Sequence, residues 1–256
     1  MVSIEWKIQK VELMNILDKF PKQRIDLPEA YQKIYNQHYL NNREGKYKTT
    51  SLSQKLEAWM HKKVSGDLDD LSGELSTLEI GAGTLNQLKY ESIKGIYDIV
   101  EPFKELFENS TLLPRINEVY SDITEVPLSA KYDRITSIAT FEHIMDLPFV
   151  VANAALHLKE DGCFRIAIPN EGTILWKLGT KITGAEFKKK YGLDYQLLMK
   201  YEHVNTADDI ESVLTHFFGS TKCSVFGLNR SLAFYRFYVC KKPKMDLINR
   251  YVESCN

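Results

Sequence analysis

The sequence has little that would send it to a membrane, out of the cell or onto nucleic acid. It contains no run of about 18 apolar residues, so no membrane-spanning helix is expected. Its first residues, Met1-Val2-Ser3-Ile4-Glu5-Trp6-Lys7, lack the basic and then apolar segments of a signal peptide. Cysteine is scarce. Cys163, Cys223, Cys240 and Cys255 include no CxxC pair and have no histidine at zinc spacing, which argues against a disulfide scaffold and a structural metal. Cys163 and Cys240 sit in strand-like apolar runs and are expected as buried thiols in a reduced, cytoplasmic protein. Charge of one sign is also missing: 33 Lys+Arg stand against 34 Asp+Glu, so no nucleic-acid or membrane partner is expected. Neither repeats nor low-complexity segments occur.

What is present is an ordinary globular composition, 44% hydrophobic and 26% charged, over 256 residues. That length suits one large domain or a core with an added cap. Three textures divide it. Residues 1–70 read as a helical cap: Val11, Leu13, Met14, Ile16 and Leu17, then Ala30, Tyr31, Ile34 and Tyr35, recur at helical spacing. After the polar break Asn41–Lys46, Leu52, Leu56, Trp59 and Met60 mark another helix, and Asp67–Asp70 a solvated connection.

Residues 71–243 read as a core of alternating strands and helices. Strands are expected at Thr77–Ile80, Gly95–Val100, Glu118–Ser121, Tyr132–Ala139 and Cys163–Ile168. Helices are expected through Leu85, Leu88 and Ile93, through Phe103, Leu106 and Phe107, and over Pro148–Leu156. This alternation predicts a parallel sheet covered on both faces. An insertion at 170–205, rich in Lys, Gly and aromatics, interrupts the rhythm. Thr206, followed by Asp208 and Asp209, then caps a helix. Cys223–Leu228 and Leu232–Cys240, joined by Asn229-Arg230-Ser231, predict an antiparallel hairpin, and residues 244–256 a tail.

The first strand runs into Gly81-Ala82-Gly83, where glycines let the backbone turn sharply and approach a ligand. A tight strand-to-helix turn needs no ligand to explain it. The neighbours add weight. Glu101 ends the second strand eighteen positions after Gly83, where a carboxylate can accept both hydrogen bonds of a ribose diol. Asp122-Ile123 ends the third strand, offering an acceptor for an adenine amino group and an apolar face for the ring.

Glu79-Ile80-Gly81-Ala82-Gly83-Thr84, Glu101, Asp122-Ile123 and Thr140-Phe141-Glu142-His143-Ile144 together resemble the successive motifs of class I S-adenosylmethionine-dependent methyltransferases. The closing hairpin is similar to that family's last two strands, so the resemblance covers roughly residues 75–240. It implies an α/β, Rossmann-like doubly wound sheet, mostly parallel with an antiparallel C-terminal hairpin, preceded by N-terminal helices. It also implies that Glu79 and the Gly81-Ala82-Gly83 backbone hold the amino-acid end of S-adenosyl-L-methionine, and Glu101-Pro102 its ribose. Asp122 and Ile123 would flank adenine, and Thr140 and Phe141 would lie beneath the sulfonium. One departure stands out: the family loop's third glycine is Leu85 here.

Methyl transfer is an in-line displacement in which positioning supplies much of the rate. A hydroxyl acceptor must also lose a proton, a task suited to histidine. His143, after the fourth strand, and His203, with Glu202 beside it to orient it, are the candidates; His61 is a third, ranked below them because a helix surface is its expected place. Tyr39, Tyr47, Trp176, Phe187, Tyr191 and Tyr195 are candidates to wall an acceptor pocket, with plain core as the competing reading. Arg43, Lys46 and Lys177 are candidates to hold an anionic group, and Lys188-Lys189-Lys190 a solvated face. The expected activity is methylation of a small molecule, of sugar or natural-product type. Three rivals remain. A nicotinamide-dependent oxidoreductase would share the first strand and the ribose acid, but Asn86 breaks the GxGxxG spacing. A nucleic-acid base methyltransferase would carry an Asn/Asp-Pro-Pro-aromatic motif in place of Thr140–His143. A binding protein that keeps the fold without turnover is the third.

Overall fold

Short apolar runs bounded by turn residues become strands, and five of them make the parallel part of one sheet. These are β1 (Thr77–Ile80), β2 (Tyr97–Val100), β3 (Val119–Tyr120), β4 (Tyr132–Ile138) and β5 (Leu158–Pro169). The hairpin β6 (Phe218–Gly227) and β7 (Ala233–Pro243) completes a seven-stranded sheet of order β3-β2-β1-β4-β5-β7-β6, with β7 antiparallel to both neighbours. This computed structural model describes residues 16–34, 51–68, 74–92 and 94–255, without the side chains of 51–56, 174 and 182. β1 and β2 are buried along their whole length, as strands covered on both faces must be. Strand order reverses between β1 and β4, and that switch point is where open α/β sheets bind ligands.

Side-chain alternation along β5 divides the core. Phe164, Ile166 and Ile168 point to one face, where they pack with α2 (Leu147–Leu156), α5 (Ala207–Phe217) and α6 (Met245–Cys255). Ala167 points to the other, joining Met60 and Val64 of α1 (Ser51–Ser65) and Phe237 of β7. Phe141, Phe164 and Phe217 are fully buried on the first face, each contributing roughly 1.5–3 kcal/mol. The end of α1 is clipped to the sheet by two arginines. Arg134 Nη2 donates to Val64 O at 3.0 Å, and Arg165 Nη2 to Lys63 O at 2.7 Å, which satisfies carbonyls that a helix end leaves open. Buried Arg134 is itself neutralised by Glu91 at 3.0 Å and Asp67 at 2.9 Å.

Two expectations are corrected. Among the described residues no α-helix follows β1 or β2; each is followed by a short 3-10 turn, Asn86–Lys89 and Lys104–Leu106. Leu85, fully buried with φ 62°, is left-handed and stops a helix from starting at the loop. The run from Phe103 to Phe107 is too short to repay helix nucleation before Asn109-Ser110 ends it. The segment after Pro243, read as a tail, is helix α6, which buries Ile248 completely. The 170–205 segment is helical: α3 (Ile174–Tyr191) and α4 (Tyr195–Glu202) gather Phe187 and Leu198 around Leu27 and Tyr31 in a separate cluster. Thr206 caps α5 in a capping box with Asp209.

Candidate active site

A cavity of about 990 Å³ opens at the carboxyl ends of β1, β2, β4 and β5, near the upper end of the size range of ligand pockets. Its floor is the loop after β1. Gly81 has φ 73°, and a Cβ there would meet Thr140 Cγ2 at 2.3 Å, so only glycine fits. Thr140 is fixed in turn, its hydroxyl donating to Ile138 O at 3.0 Å and Gly81 O at 3.3 Å. Glu101 holds the far side of the loop: Oε2 accepts from Gly83 N–H at 2.8 Å and Oε1 from Phe103 N–H at 3.1 Å. The carboxylate is thereby aimed at the cavity before any ligand arrives. Asp122 Oδ1 accepts from the Thr124 N–H at 2.9 Å and hydroxyl at 2.7 Å, capping the turn that presents Ile123.

Glu79 lies beneath the glycine loop, almost fully buried. Burial pushes its carboxyl up to about 8, and the carboxylates of Glu91 and Glu101 push the same way. A hydrogen bond from Tyr97 OH at 2.8 Å and the charge of Arg134 oppose the rise. Six acidic residues line the cavity, Glu57, Glu79, Glu101, Asp122, Glu142 and Glu202, against one arginine, Arg24, among the described lining residues. The site therefore favours a cation.

The other end, toward β4 and β5, is built around two imidazoles. His143 and His203 meet edge to face with centroids 4.8 Å apart, and Trp176 stacks on His203 at 5.7 Å. His143 Nδ1 lies 2.9 Å from Glu202 O, and His203 Nδ1 contacts the Glu171 carboxylate. Burial alone would lower the His203 pKa, but the Glu171 hydrogen bond and the charges of Glu142, Glu171 and Glu202 raise it overall. Asn205 locks the two segments together, its Nδ2 donating to Phe141 O at 2.8 Å and Ile144 O at 2.6 Å.

No family model matches the chain, and no curated protein matches it in sequence. Solved structures do. The plantazolicin methyltransferase BpumL, in complex with a monoazolic desmethylPZN analog and SAH, aligns with TM-score 0.58 at 13% identity, over 94% of this chain and 99% of that one. The N-methyltransferase NodS from Bradyrhizobium japonicum WM9, in complex with S-adenosyl-l-homocysteine, aligns with TM-score 0.55 at 12% identity, over 84% and 99%. An S-adenosylmethionine-dependent methyltransferase from Clostridium acetobutylicum ATCC 824 aligns with TM-score 0.53 at 15% identity, over 82% and 99%. The chain has the class I methyltransferase fold.

Within that fold, the cavity gathers Glu79, Gly81, Ala82, Gly83, Glu101, Pro102, Asp122, Ile123, Thr140, His143 and His203. Phe141 is the exception. It is fully buried and packs edge-on against Phe164 at 5.6 Å, in the core rather than on the cavity wall. The Glu202 backbone carbonyl faces His143, the Glu171 carboxylate contacts His203 Nδ1, and the Glu202 charge acts on His203 as well. His61 is buried, not on a helix surface: it stacks on Tyr90 at 4.9 Å, meets Gln87 Oε1 at 2.7 Å and lines the cavity. Of the aromatic candidates Trp176 lines the cavity, whereas Phe187, Tyr191 and Tyr195 belong to the separate cluster under α3 and α4. Tyr235 of β7 is a lining residue that the sequence did not single out. Lys177 and Lys188–Lys190 are exposed. The expectations at Val11, Leu13, Met14, Tyr35, Tyr39, Asn41–Lys46, Tyr47, Asp69, Asp70 and Ile93 lie outside the described residues, as do the side chains of Leu52 and Leu56. No described helix is long and apolar enough to cross a membrane.

Proposed function

We propose that this protein transfers a methyl group from S-adenosyl-L-methionine to a hydroxyl of a small molecule, of sugar or natural-product type. The observation that carries the reading is the charge of the cavity. Five carboxylates, joined by Glu79 once its proton leaves, against one arginine suit a donor with a sulfonium and an ammonium, and oppose the pyrophosphate of a nicotinamide cofactor. The 3-10 turn after β1 supports the same choice, since a dinucleotide needs a helix N-terminus for its phosphates. Glu79 and the Gly81–Gly83 backbone take the amino-acid end, Glu101 the ribose, and Asp122 with Ile123 the adenine. The methyl group then points toward His143 and His203, where the acceptor hydroxyl sheds its proton. Arg24, Glu57, Met60 and His61 before β1, with Trp176 of α3 and Glu202 of α4, form the cover over the acceptor.

Calorimetry with S-adenosylhomocysteine tests the donor half. Glu101→Ala is expected to weaken binding by about 1–3 kcal/mol, the loss of a charge-assisted hydrogen-bond acceptor; equal affinity would remove Glu101 from the site. Labelled-methyl transfer into hydroxyl compounds tests the acceptor half. His143→Ala and His203→Ala are expected to keep cofactor affinity and lower turnover by at least about 100-fold in one of them; unchanged turnover in both leaves catalysis to proximity. An amine acceptor is the second reading, favoured by the carboxylates of Glu142, Glu171 and Glu202 around the imidazoles. The methylated atom in the product separates the two. Tight cofactor binding without transfer to any metabolite pool would instead mark a binding protein.

A further inference from the structure

We propose that Glu142, His143 and His203 hold a divalent transition-metal ion at the acceptor end of the cavity. The inference deepens the reading above and rests on it for the acceptor chemistry. One carboxylate oxygen of Glu142 and one ring nitrogen of each histidine lie within 4.8 Å of one another. Bonds of about 2.0–2.2 Å place the ligand atoms of such an ion roughly 3–3.5 Å apart, so a modest rotation of the side chains closes the set.

The partners of the histidines support a metal more directly than the spacing does. A carbonyl oxygen can only accept, so the contact of His143 Nδ1 with Glu202 O places the ring hydrogen on Nδ1 and the lone pair on Nε2. That Nε2 lies 3.9 Å from Glu142 Oε1. His203 is tied in the same manner, through Nδ1 to the Glu171 carboxylate. A carbonyl behind one imidazole and a carboxylate behind the other is the outer shell that metal-binding histidines carry. The ligands are also held by backbone: Val204 N–H and Asn205 N–H donate to Glu142 O at 2.8 and 3.1 Å, joining the two ligand-bearing segments. Two imidazoles and one carboxylate select Zn²⁺, Mn²⁺, Fe²⁺ or Co²⁺ over Ca²⁺ and Mg²⁺, which take oxygen ligands.

Three protein ligands leave positions open toward the cavity. An acceptor hydroxyl that enters one of them becomes more acidic, and its proton leaves to solvent. The oxygen then attacks the methyl carbon: the O–CH₃ bond forms, the S–CH₃ bond breaks, and its electron pair stays on sulfur, which becomes a neutral thioether. His143 and His203 act as ligands in this scheme, and Glu171 as the positioning residue of His203.

Metal-stripped protein titrated with Mn²⁺ and followed by electron paramagnetic resonance tests the proposal, with Co²⁺ absorption as a second probe. One ion per chain is expected to bind. His203→Ala and Glu142→Ala should each weaken binding at least about tenfold and alter the Co²⁺ spectrum. Glu171→Gln should weaken it about 10–100-fold while the Co²⁺ ligand field keeps its form. Unchanged melting temperature and S-adenosylhomocysteine affinity establish that each variant is folded. Failure of both ions to bind, or binding indifferent to these substitutions in folded variants, overturns the metal site. If S-adenosylhomocysteine still binds in that case, the methyltransferase reading stands alone; if the ion binds and S-adenosylhomocysteine does not, that reading falls instead.

Discussion

Gly81→Ala is expected to abolish cofactor binding and to destabilise the fold by about 2–5 kcal/mol. Two costs add. A non-glycine residue in the left-handed region loses about 1–2 kcal/mol, and φ 73° leaves no other choice. The new methyl would also sit 2.3 Å from Thr140 Cγ2 and 2.4 Å from Thr140 Oγ1, a clash of the overpacking kind worth about 1–3 kcal/mol. Thr140 cannot simply turn away, because it is β-branched and its hydroxyl serves Ile138 O and Gly81 O. Relief comes only by moving the loop, and that carries Gly83 N–H off Glu101. Urea unfolding gives the stability and calorimetry the affinity. A double variant with Thr140→Ala separates the costs: the clash should vanish and the backbone strain remain, so the two substitutions will not add. A Gly81→Ala protein that binds S-adenosylhomocysteine normally would place the cofactor elsewhere.

The fold was legible in the sequence where one physical rule sufficed. Strand ends carried their own punctuation: Gly81 after β1, and Asn229–Ser231 between β6 and β7. The β1–β3 end of the cavity was legible for the same reason, since its lining residues sit directly at those ends. What was misjudged depended on partners distant in sequence. Phe141 follows Thr140 immediately, yet the 3-10 turn rotates it into the core against Phe164. Glu171 meets His203 only because α3 and α4 pack back on each other and return the chain to the end of β5, and no spacing rule links positions 32 apart. His61 fits the exposed face of an isolated helix; Gln87 and Tyr90, from the loop after β1, are what bury it. The helices expected after β1 and β2 failed on a single backbone feature, the left-handed Leu85, and on a run too short to nucleate. That same absence supplies evidence against a pyrophosphate ligand.

The second large effect is a proton released when the cofactor binds. Glu79, held at about 8 against an ordinary 4.5, is mostly protonated at neutral pH. An ammonium that binds beside it favours the ionised carboxylate, so the proton must leave. Below pH 8 the ionised fraction grows about tenfold per pH unit, and affinity for S-adenosylhomocysteine is expected to rise about tenfold from pH 6 to pH 7. Calorimetry at pH 7 in buffers of different ionisation enthalpy should register close to one proton released per chain. Glu79→Gln should show weak binding, no release and a flat profile. Tyr97→Phe removes a hydrogen bond that lowers the carboxyl, so its profile should move to higher pH. Stability of the free protein has the opposite sign. The folded chain binds more protons than the unfolded one between 4.5 and 8, so stability falls as pH rises through that window and levels off above it. Cofactor should protect most where the free protein has lost most, near and above pH 8. Equal protection at pH 5.5 and pH 8, with no proton released, would detach Glu79 from the ammonium and leave it a buried acid of the core.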